Sequence, residues 1–445
     1  MVSLLRTSLA PVGKAIAAQH FSTAAVLSND SYRFVVAGGG AGGLAIASSL
    51  ARKYGDGNVA VIEPSDVHYY QPMWTLVGGG EKTLQDSAKE MSKLMPKNAT
   101  WIKEKVEQFD PAQNLVYTSD NRKVNYDYLV VAMGLQVNFN KIEGLPEALE
   151  DPASGVASNF SPKYVNKTFE LIKNFQGGNA IFTMPTLPIK CPGAPQKIMY
   201  LAEDYFRNKS GVRDKTTVMY NSALAVLFGV KKYANSLWKV VERKGIQVNL
   251  HTNLVEVMSK EKKAMFTITN PADNTTTNKI FDYDMIHVSP PMGPLACLKD
   301  SPVSDANGWV DVNKTTLQHM RFPNVFAIGD CSNVPTSKTA AAVAGQSGVL
   351  LKSLESVMKG EIPAEKYDGY TSCPLITGYG TTILAEFDFN AAPLETFPID
   401  QGKERTSMYY LKRDIMPELY WSGLLRGVWR GPGIVRKALH AGLKN

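Results

Sequence analysis

Two cysteine–proline pairs carry the most reactive side chains of the sequence, Cys191-Pro192 and Cys373-Pro374. A thiolate is a strong nucleophile toward disulfides, and two converging thiols can store and release an electron pair. Since proline disfavours helical backbone in the residue before it, both cysteines are expected in extended geometry. We predict a catalytic redox pair; the alternative is two buried structural cysteines. The neighbouring Lys190 is expected either to lower the thiol pKa of Cys191 or to be solvated.

The other two cysteines, Cys297 and Cys331, are interpreted as structural. The chain has no CxxC pair, so a zinc site is not expected and no metal ligand is predicted. Four cysteines in 445 residues also do not make a disulfide scaffold.

A glycine-rich turn follows the first apolar segment, in YRFVVAGGGAGGLAIASSL. Gly38 permits the tight turn, Gly40 lets the backbone approach a pyrophosphate, and Gly43 lets the helix pack close to the strand. A second strand, in NVAVIEPSD, ends at Glu63, where a carboxylate accepts hydrogen bonds from a ribose. This pattern predicts a dinucleotide site that includes Ala41 and Gly42 as well.

Two later strands end in polar or glycine residues. YDYLVVAMG ends at Gly134, and FPNVFAIGD ends at Asp330, after which a helix is predicted to begin near Thr339. Asp330 can bond a ribityl hydroxyl, and the helix N-terminus can stabilise the electron-rich end of a flavin.

Together these motifs resemble the flavoproteins with two dinucleotide-binding domains, whose FAD domain is split by an inserted Rossmann-like domain. The resemblance spans about residues 33–350 and implies FAD as the cofactor. It also implies flavin contacts from residues outside the glycine turn, namely Gln71, Val106, Lys338, Thr339, Ala340 and Ala341.

The stretch IFTMPTLPIKCPGAP, residues 181–195, stands where NADH-using relatives carry a second glycine-rich turn. Proline removes backbone donors, so this loop is not expected to wrap a nicotinamide pyrophosphate. The loops IKCPGAPQK and TSCPLITGYG, with an FAD domain, resemble the sulfide:quinone oxidoreductases, and most closely their mitochondrial two-cysteine type.

This resemblance implies oxidation of hydrogen sulfide, reduction of ubiquinone, and transfer of sulfane sulfur to glutathione or sulfite. It also implies that Cys191 lies nearer the flavin and that Cys373 presents the oxidised sulfur. The alternatives are a type II NADH:quinone dehydrogenase and a catalytically silent flavoprotein that acts as a binding partner.

The expected fold is α/β, with two Rossmann-like domains and an amphipathic C-terminal tail. Residues 1–30 are Ser-rich and acid-free before Asp30, which predicts a mitochondrial transit peptide and a location at the inner membrane. The remaining divisions are 31–155 and 286–370 for the FAD domain, 156–285 for the insert, and 371–445 for the tail.

The tail is predicted to lie on a membrane surface. Bulky apolar residues alternate with Arg and Lys, and a helical stripe is expected from Tyr420, Trp421, Leu424, Leu425, Val428 and Trp429. No run of about 18 apolar residues predicts a spanning helix. Tyr379, Phe387 and Phe389 are expected to guide the quinone. The net charge is +7, but no basic run with interleaved aromatics predicts nucleic-acid binding.

Overall fold

The structure is a computed structural model that describes residues 29–441. The predicted transit segment lies outside the described residues, apart from its last two positions. Among residues 29–441, no helix is both long and apolar enough to cross a membrane.

The strands, in chain order, are β1 Asn29–Ala37, β2 Val59–Ile62, β3 Val67–Tyr69, β4 Ala88–Glu90, β5 Ala99–Ile102, β6 Val106–Asp110, β7 Leu115–Thr118, β8 Lys123–Val131, β9 Gln136–Val137, β10 Val156–Ala157, β11 Gly178–Met184, β12 Thr216–Ser222, β13 Gln247–Asn249, β14 Thr252–Met258, β15 Lys263–Thr269, β16 Thr276–Asp282, β17 Met285–His287, β18 Met292–Gly293, β19 Val325–Ala327, β20 Thr371–Gly378 and β21 Thr381–Phe387.

The α-helices are α1 Ala41–Tyr54, α2 Trp74–Gly78, α3 Met91–Leu94, α4 Leu145–Glu150, α5 Val165–Asn174, α6 Ala194–Asn208, α7 Lys231–Lys244, α8 Ala340–Met358, α9 Thr406–Tyr410, α10 Met416–Glu418 and α11 Gly433–Leu439. Two π-helical segments, Leu411–Ile415 and Leu419–Leu424, flank α10.

The first sheet has the order β5-β2-β1-β8-β7-β6. Strands β5, β2, β1 and β8 are parallel, and β19 pairs in parallel with the end of β8. Leu129, Val130 and Val131 of β8 are fully buried, as expected for a parallel strand covered on both faces. Strand β19 joins this sheet after nearly 200 intervening residues. Because β1, β8 and β19 run parallel, their carboxyl ends meet at one edge of the sheet.

The intervening residues form a second parallel sheet with the order β10-β17-β11-β12-β13. An antiparallel sheet, β14-β15-β16, follows β13 in the chain. Strands β6 and β7 add an antiparallel edge to the first sheet. Two sheets with parallel strands and covering helices confirm the predicted α/β class. After α8, the hairpin β20–β21 packs against both α6 and α8, so it bridges the two halves.

The C-terminal stripe does not have the predicted orientation. Tyr420, Trp421, Leu424 and Leu425 are at most 6% exposed and pack in the core beneath the first sheet. Because π-turns interrupt the segment, the 3.6-residue period used for the prediction does not apply. Val428 of the predicted stripe is exposed, and the other exposed apolar residues of the tail include Tyr410, Ile415, Ile434 and Leu439.

Candidate functional site

One large cavity connects the glycine turn, the cysteine loop and the C-terminal segment. Its volume is about 1370 Å³, more than most small-molecule pockets have. Among the predicted cofactor residues, Gly43 alone does not line it. Those that do are Gly38, Gly40, Ala41, Gly42, Glu63, Gln71, Val106, Gly134, Asp330, Lys338, Thr339, Ala340 and Ala341.

The two cysteines meet although they lie far apart in sequence. The Sγ atoms of Cys191 and Cys373 are 3.3 Å apart, and both are free thiols. Cys191 precedes α6, and Cys373 lies in β20 with only 2% exposure. A contact this close is the arrangement from which a disulfide can form.

The backbone of Cys191 differs from the prediction. Its φ is +51°, in the left-handed region, whereas Cys373 is extended within β20 as expected. Such a conformation costs about 1 kcal/mol for a residue other than glycine. Two hydrogen bonds hold it: the Cys191 N–H donates to the Lys338 carbonyl (3.0 Å), and the Cys191 carbonyl accepts from the Ala194 N–H (2.8 Å). The cysteine loop is thereby tied to the residues that open α8.

Lys197, in the first turn of α6, is the cation beside the thiols. Its Nζ donates to Cys191 Sγ at 3.2 Å, and the side chain is buried. The pKa of Cys191 lies well below its usual value, because the Cys373 thiol donates a hydrogen bond to it and because Lys197 is positively charged. The same hydrogen bond, together with burial, raises the pKa of Cys373. Cys191 is therefore the thiolate and Cys373 the thiol.

The prediction that the neighbouring Lys190 lowers the thiol pKa is wrong. Its Nζ donates to Gln71 Oε1 at 3.1 Å, and its N–H contacts the Met292 sulfur. Although Lys190 is next to Cys191 in sequence, its ammonium group does not contact the Cys191 sulfur.

A second buried lysine comes from the tail. Lys412 is 3% exposed, and its Nζ donates to the Pro72 carbonyl at 2.7 Å. Burial, followed by the positive charge of Lys197, lowers the pKa of Lys412 to about 7. It lines the same cavity as Cys191. Neither Lys197 nor Lys412 stands in a recognisable motif, so the sequence carried no signal for them.

The glycine turn leaves room for a ligand on one side and none on the other. A Cβ on Gly43 would lie 1.8 Å from the Gly38 carbonyl oxygen, so α1 packs directly against the turn. A Cβ on Gly40 would find no heavy atom closer than 3.8 Å. The backbone beside Gly40 is therefore open to the cavity at the N-terminus of α1, where a pyrophosphate is favoured.

Glu63 and Asp330 lie at the strand ends that frame this opening. Glu63 Oε2 accepts from the Gly39 N–H at 2.7 Å, so the carboxylate also braces the turn. Near Asp330, the Lys338 Nζ donates to the Asp330 and Ser332 carbonyls and lies 4.2 Å above the Trp309 ring. Thr339 caps α8 by accepting from the Ala342 N–H.

This geometry fits FAD. The cavity is long enough to continue from the open glycine turn to the α8 N-terminus, and neither α1 nor α8 has an acidic residue in its first turn. The positive ends of both helices are therefore free for an anionic cofactor. Among residues 29–441, no group of three or more His, Cys, Asp or Glu side chains could hold a metal ion.

The tail contacts the glycine turn through His68. Its Nδ1 lies 3.2 Å from the Gly39 carbonyl and its Nε2 lies 2.6 Å from the Tyr420 hydroxyl. Burial lowers the pKa of His68 to about 4, so the ring is neutral at pH 7. The network assigns the proton to Nδ1, which donates to Gly39 while Nε2 accepts from Tyr420. This bridge between distant segments was not foreseen from the sequence.

The open glycine turn, the helix N-termini and the two thiols in contact are the features of a flavin-dependent oxidoreductase. Residues 32–166 match the family of pyridine nucleotide-disulphide oxidoreductases. Family and site together make this chain an FAD-dependent oxidoreductase.

Relatives with known names narrow the class. The chain is 49% identical over 416 residues to "Sulfide:quinone oxidoreductase, mitochondrial" of Mus musculus, covering 94% of this chain and 91% of the relative. Proteins of the same name from Dictyostelium discoideum and Schizosaccharomyces pombe are 47% and 36% identical, over 90% and 93% of this chain and 87% and 94% of theirs. The chain belongs to the mitochondrial sulfide:quinone oxidoreductase family.

Solved structures show the same fold. The sulfide:quinone oxidoreductase of Aquifex aeolicus aligns with a TM-score of 0.74 at 20% identity, covering 93% of this chain and 96% of that one. A chain of the mitochondrial ATP synthase of Tetrahymena thermophila aligns with a TM-score of 0.78 at 21% identity, covering 91% and 98%. At these identities the likeness concerns the fold alone.

Proposed function

We propose that this protein oxidises hydrogen sulfide at the Cys191–Cys373 pair and reduces ubiquinone through FAD. The observation that carries the proposal is the 3.3 Å contact between the two sulfurs, with the Lys197 ammonium 3.2 Å from Cys191. The family relatives are named for the same two substrates.

The sulfur chemistry begins from the oxidised pair, in which Cys191 and Cys373 share a bridge. Hydrosulfide attacks the Cys373 sulfur, a new S–S bond forms there, and the bridge breaks. Cys373 becomes a persulfide, and Cys191 leaves with the electron pair as a thiolate. Lys197 stabilises that negative charge, so it favours this direction of cleavage.

The cofactor residues have distinct tasks. The turn Gly38–Gly43 and Glu63 would hold the pyrophosphate and ribose end, and Gly134, Asp330 and the α8 N-terminus would hold the flavin end. Gln71, Val106, Lys338, Ala340 and Ala341 would complete this wall. Bound FAD supplies a two-electron relay between sulfur and quinone. Lys338 fixes the position of Cys191 relative to the flavin end through its backbone carbonyl.

The persulfide must pass its outer sulfur to an acceptor, for which we propose glutathione or sulfite. Both are anions, and the buried Lys197 ammonium, with the partly protonated Lys412 nearby, gives this part of the cavity a positive potential. Removal of the outer sulfur returns Cys373 to a thiol. The pair would then re-form its bridge by losing one proton and two electrons, which bound FAD would accept.

We further propose that the tail rests on a membrane surface, where the quinone resides. Ile415, Val428 and Ile434 are more than half exposed, and Arg426 and Arg430 are exposed beside them. Exposed apolar side chains with flanking arginines are typical of interfacial segments. The expected quinone guides Tyr379, Phe387 and Phe389 do not line the cavity, whereas Leu411, Met416, Leu419 and Trp429 of the tail do.

We propose a domain organisation in which each unit carries one part of this function. Residues 31–155 and 286–370 would form the FAD domain, residues 156–285 the insert that presents Cys191, and residues 371–445 the quinone and membrane region. Because Cys191 and Cys373 come from two of these units, the reactive pair would exist only in the assembled fold.

An anaerobic sulfide titration tests the proposed function. Sulfide should bleach the flavin absorbance of the holoenzyme, and ubiquinone should restore it. C191S and C373S should each abolish bleaching while retaining bound FAD. Bleaching of either variant at the normal rate would contradict the proposal.

A titration with NADH distinguishes the proposed function from that of a type II NADH:quinone dehydrogenase. We expect no bleaching with NADH, because the loop after β11 carries prolines and uses the amides of Lys190 and Cys191 internally. A flavoprotein that bleaches with neither reagent would be the catalytically silent binding partner.

A further inference from the structure

The hairpin β20–β21 lies between Cys373 and another wall of the cavity. Side chains alternate across a strand, so neighbours in sequence face opposite sides. Cys373 and Ala385, which are paired across the hairpin, pack in the core beside the second sheet. Their neighbours Ser372 and Glu386, also paired, line the large cavity instead.

This other wall contains a buried tyrosine–carboxylate pair. The Tyr370 hydroxyl donates to Glu386 Oε1 at 2.6 Å, and the two side chains are 6% and 3% exposed. Glu386 also accepts from the Thr396 N–H, the Thr396 hydroxyl and the Gln401 amide at 2.7–2.9 Å. Four donors hold the carboxylate in one orientation, and the carboxylate in turn orients the phenol.

The charge around this pair is unusual for a structural carboxylate. Within the described part of the chain, Glu386 makes no ion pair with Lys or Arg. The guanidinium of Arg436, in α11, lies 5.3 Å from the centre of the Tyr370 ring and also forms an ion pair with Asp368. A buried polar pair without a direct counter-charge is costly, which makes it a candidate for a functional role.

The tail forms part of the cavity wall that contains Tyr370. Trp429, Pro432 and Val435 of the tail line the cavity together with Tyr370, so the segment that we place on the membrane bounds this part of the cavity. Reduction of a quinone to a quinol requires two electrons and two protons. The electrons come from sulfide through the cofactor. Cys373 faces the opposite side of the hairpin, and the Cys191 sulfur, which contacts Cys373 and Lys197, offers no proton here.

We infer that Tyr370, oriented by Glu386, delivers one of the two protons to the quinone. The phenol turns about its C–O bond, its O–H bond breaks, and a new O–H bond forms on a quinone oxygen. The tyrosine then regains a proton from water in the cavity, so that no phenolate persists beside the Glu386 carboxylate. The second quinol proton also comes from water. This inference rests on the proposed function, since it takes ubiquinone as the acceptor.

Y370F tests the inference, because it keeps the ring packing and removes the only transferable proton. The two half-reactions of the holoenzyme are measured separately by stopped-flow absorbance: reduction by sulfide, and reoxidation of the reduced flavin by a short-chain ubiquinone. We expect reduction within about twofold of the wild type and reoxidation slowed by about a hundredfold, the lower end of what general acid catalysis contributes. Normal reduction also shows that the variant folds and binds FAD.

Ferricyanide separates proton delivery from electron transfer, since it accepts electrons without protons. It should reoxidise reduced Y370F as fast as the wild type, and the solvent isotope effect on quinone reoxidation should change only in Y370F. The matched control is Y409F, because Tyr409 is buried but does not line the cavity. Quinone reoxidation at the wild-type rate, or equal slowing with ferricyanide, would overturn the inference. A wild-type enzyme that quinone does not reoxidise would instead overturn the proposed function.

Discussion

At the level of single residues, the Cys191 thiolate is stabilised by the Cys373 hydrogen bond and by a lysine six positions away in sequence. Lys197 contacts the sulfur because the loop ends at Gly193 and the first turn of α6 brings its side chain back over Cys191. An ammonium at 3.2 Å from a buried sulfur stabilises the thiolate strongly, because little water screens the pair.

K197M should therefore raise the pKa of Cys191. In the two-electron-reduced protein, the thiolate fraction at pH 7 falls, so alkylation of Cys191 by iodoacetamide slows at pH 6–7 and recovers at higher pH. The pH dependence is followed by mass spectrometry of the alkylated peptide. K190M is the matched control and should leave the profile unchanged. An unchanged profile in K197M would show that Lys197 does not set the thiol pKa.

Lys412 supplies a pH-dependent stability prediction. Its pKa is about 7 in the folded protein and near the usual 10.5 when unfolded. Between these values the unfolded chain binds more protons, so this group makes stability rise with pH by up to about 1.4 kcal/mol per unit. Urea unfolding at pH 7, 8 and 9 should show a smaller rise for K412M than for the wild type. An equal rise of stability with pH in K412M and in the wild type would contradict a lowered pKa of Lys412 in the folded protein.

At the level of elements, the close approach of α6 to β20 brings the two thiols together. Gly193, just before α6, has no side chain, and a Cβ there would lie 2.5 Å from Cys373 Sγ and from Leu375 Cδ2. Since its φ is negative, the glycine is required for space rather than for backbone conformation.

G193A should separate the sulfurs without unfolding the protein. We expect retention of FAD, a thermal midpoint lowered by a few degrees, and sulfide-driven flavin reduction slowed at least about tenfold. G229A is the control, because a Cβ at Gly229 meets no atom within 4 Å. Wild-type reduction by G193A would mean that the 3.3 Å contact is not required.

At the level of the whole molecule, the tail joins three functions. It supplies Lys412 to the thiol site, Tyr420 to the His68 bridge beneath the glycine turn, and Trp429 to the cavity wall. Its apolar residues divide into a buried set, represented by Leu424 and Leu425, and an exposed set, represented by Ile434 at 84% exposure.

I434D should weaken membrane binding and leave the sulfur chemistry intact. Flotation with vesicles of phosphatidylcholine and cardiolipin should recover less of the variant than of the wild type, while sulfide-driven flavin reduction stays unchanged. I362D is the control, because Ile362 is 91% exposed but lies outside the tail. Equal recovery of I434D and the wild type would remove Ile434 from the proposed membrane surface.

Sequence alone was sufficient for the features that depend on neighbouring residues. Gly38, Gly40 and Gly43 identify the dinucleotide turn because strand, turn and helix are contiguous, and Thr339 marks the start of α8 for the same reason. The prediction that the loop after β11 binds no nicotinamide also came from neighbouring residues, because proline removes backbone donors wherever it stands.

Features that depend on distant contacts were decided by the tertiary structure. Lys197 replaced Lys190 beside the thiol, Cys191 adopted positive φ against the preference of its following proline, and the Tyr420–Leu425 stripe turned toward the core. In each case, packing between separate elements outweighs a local preference of about 1 kcal/mol. The direction of a side chain then follows from which elements surround it, and a linear pattern does not contain that information.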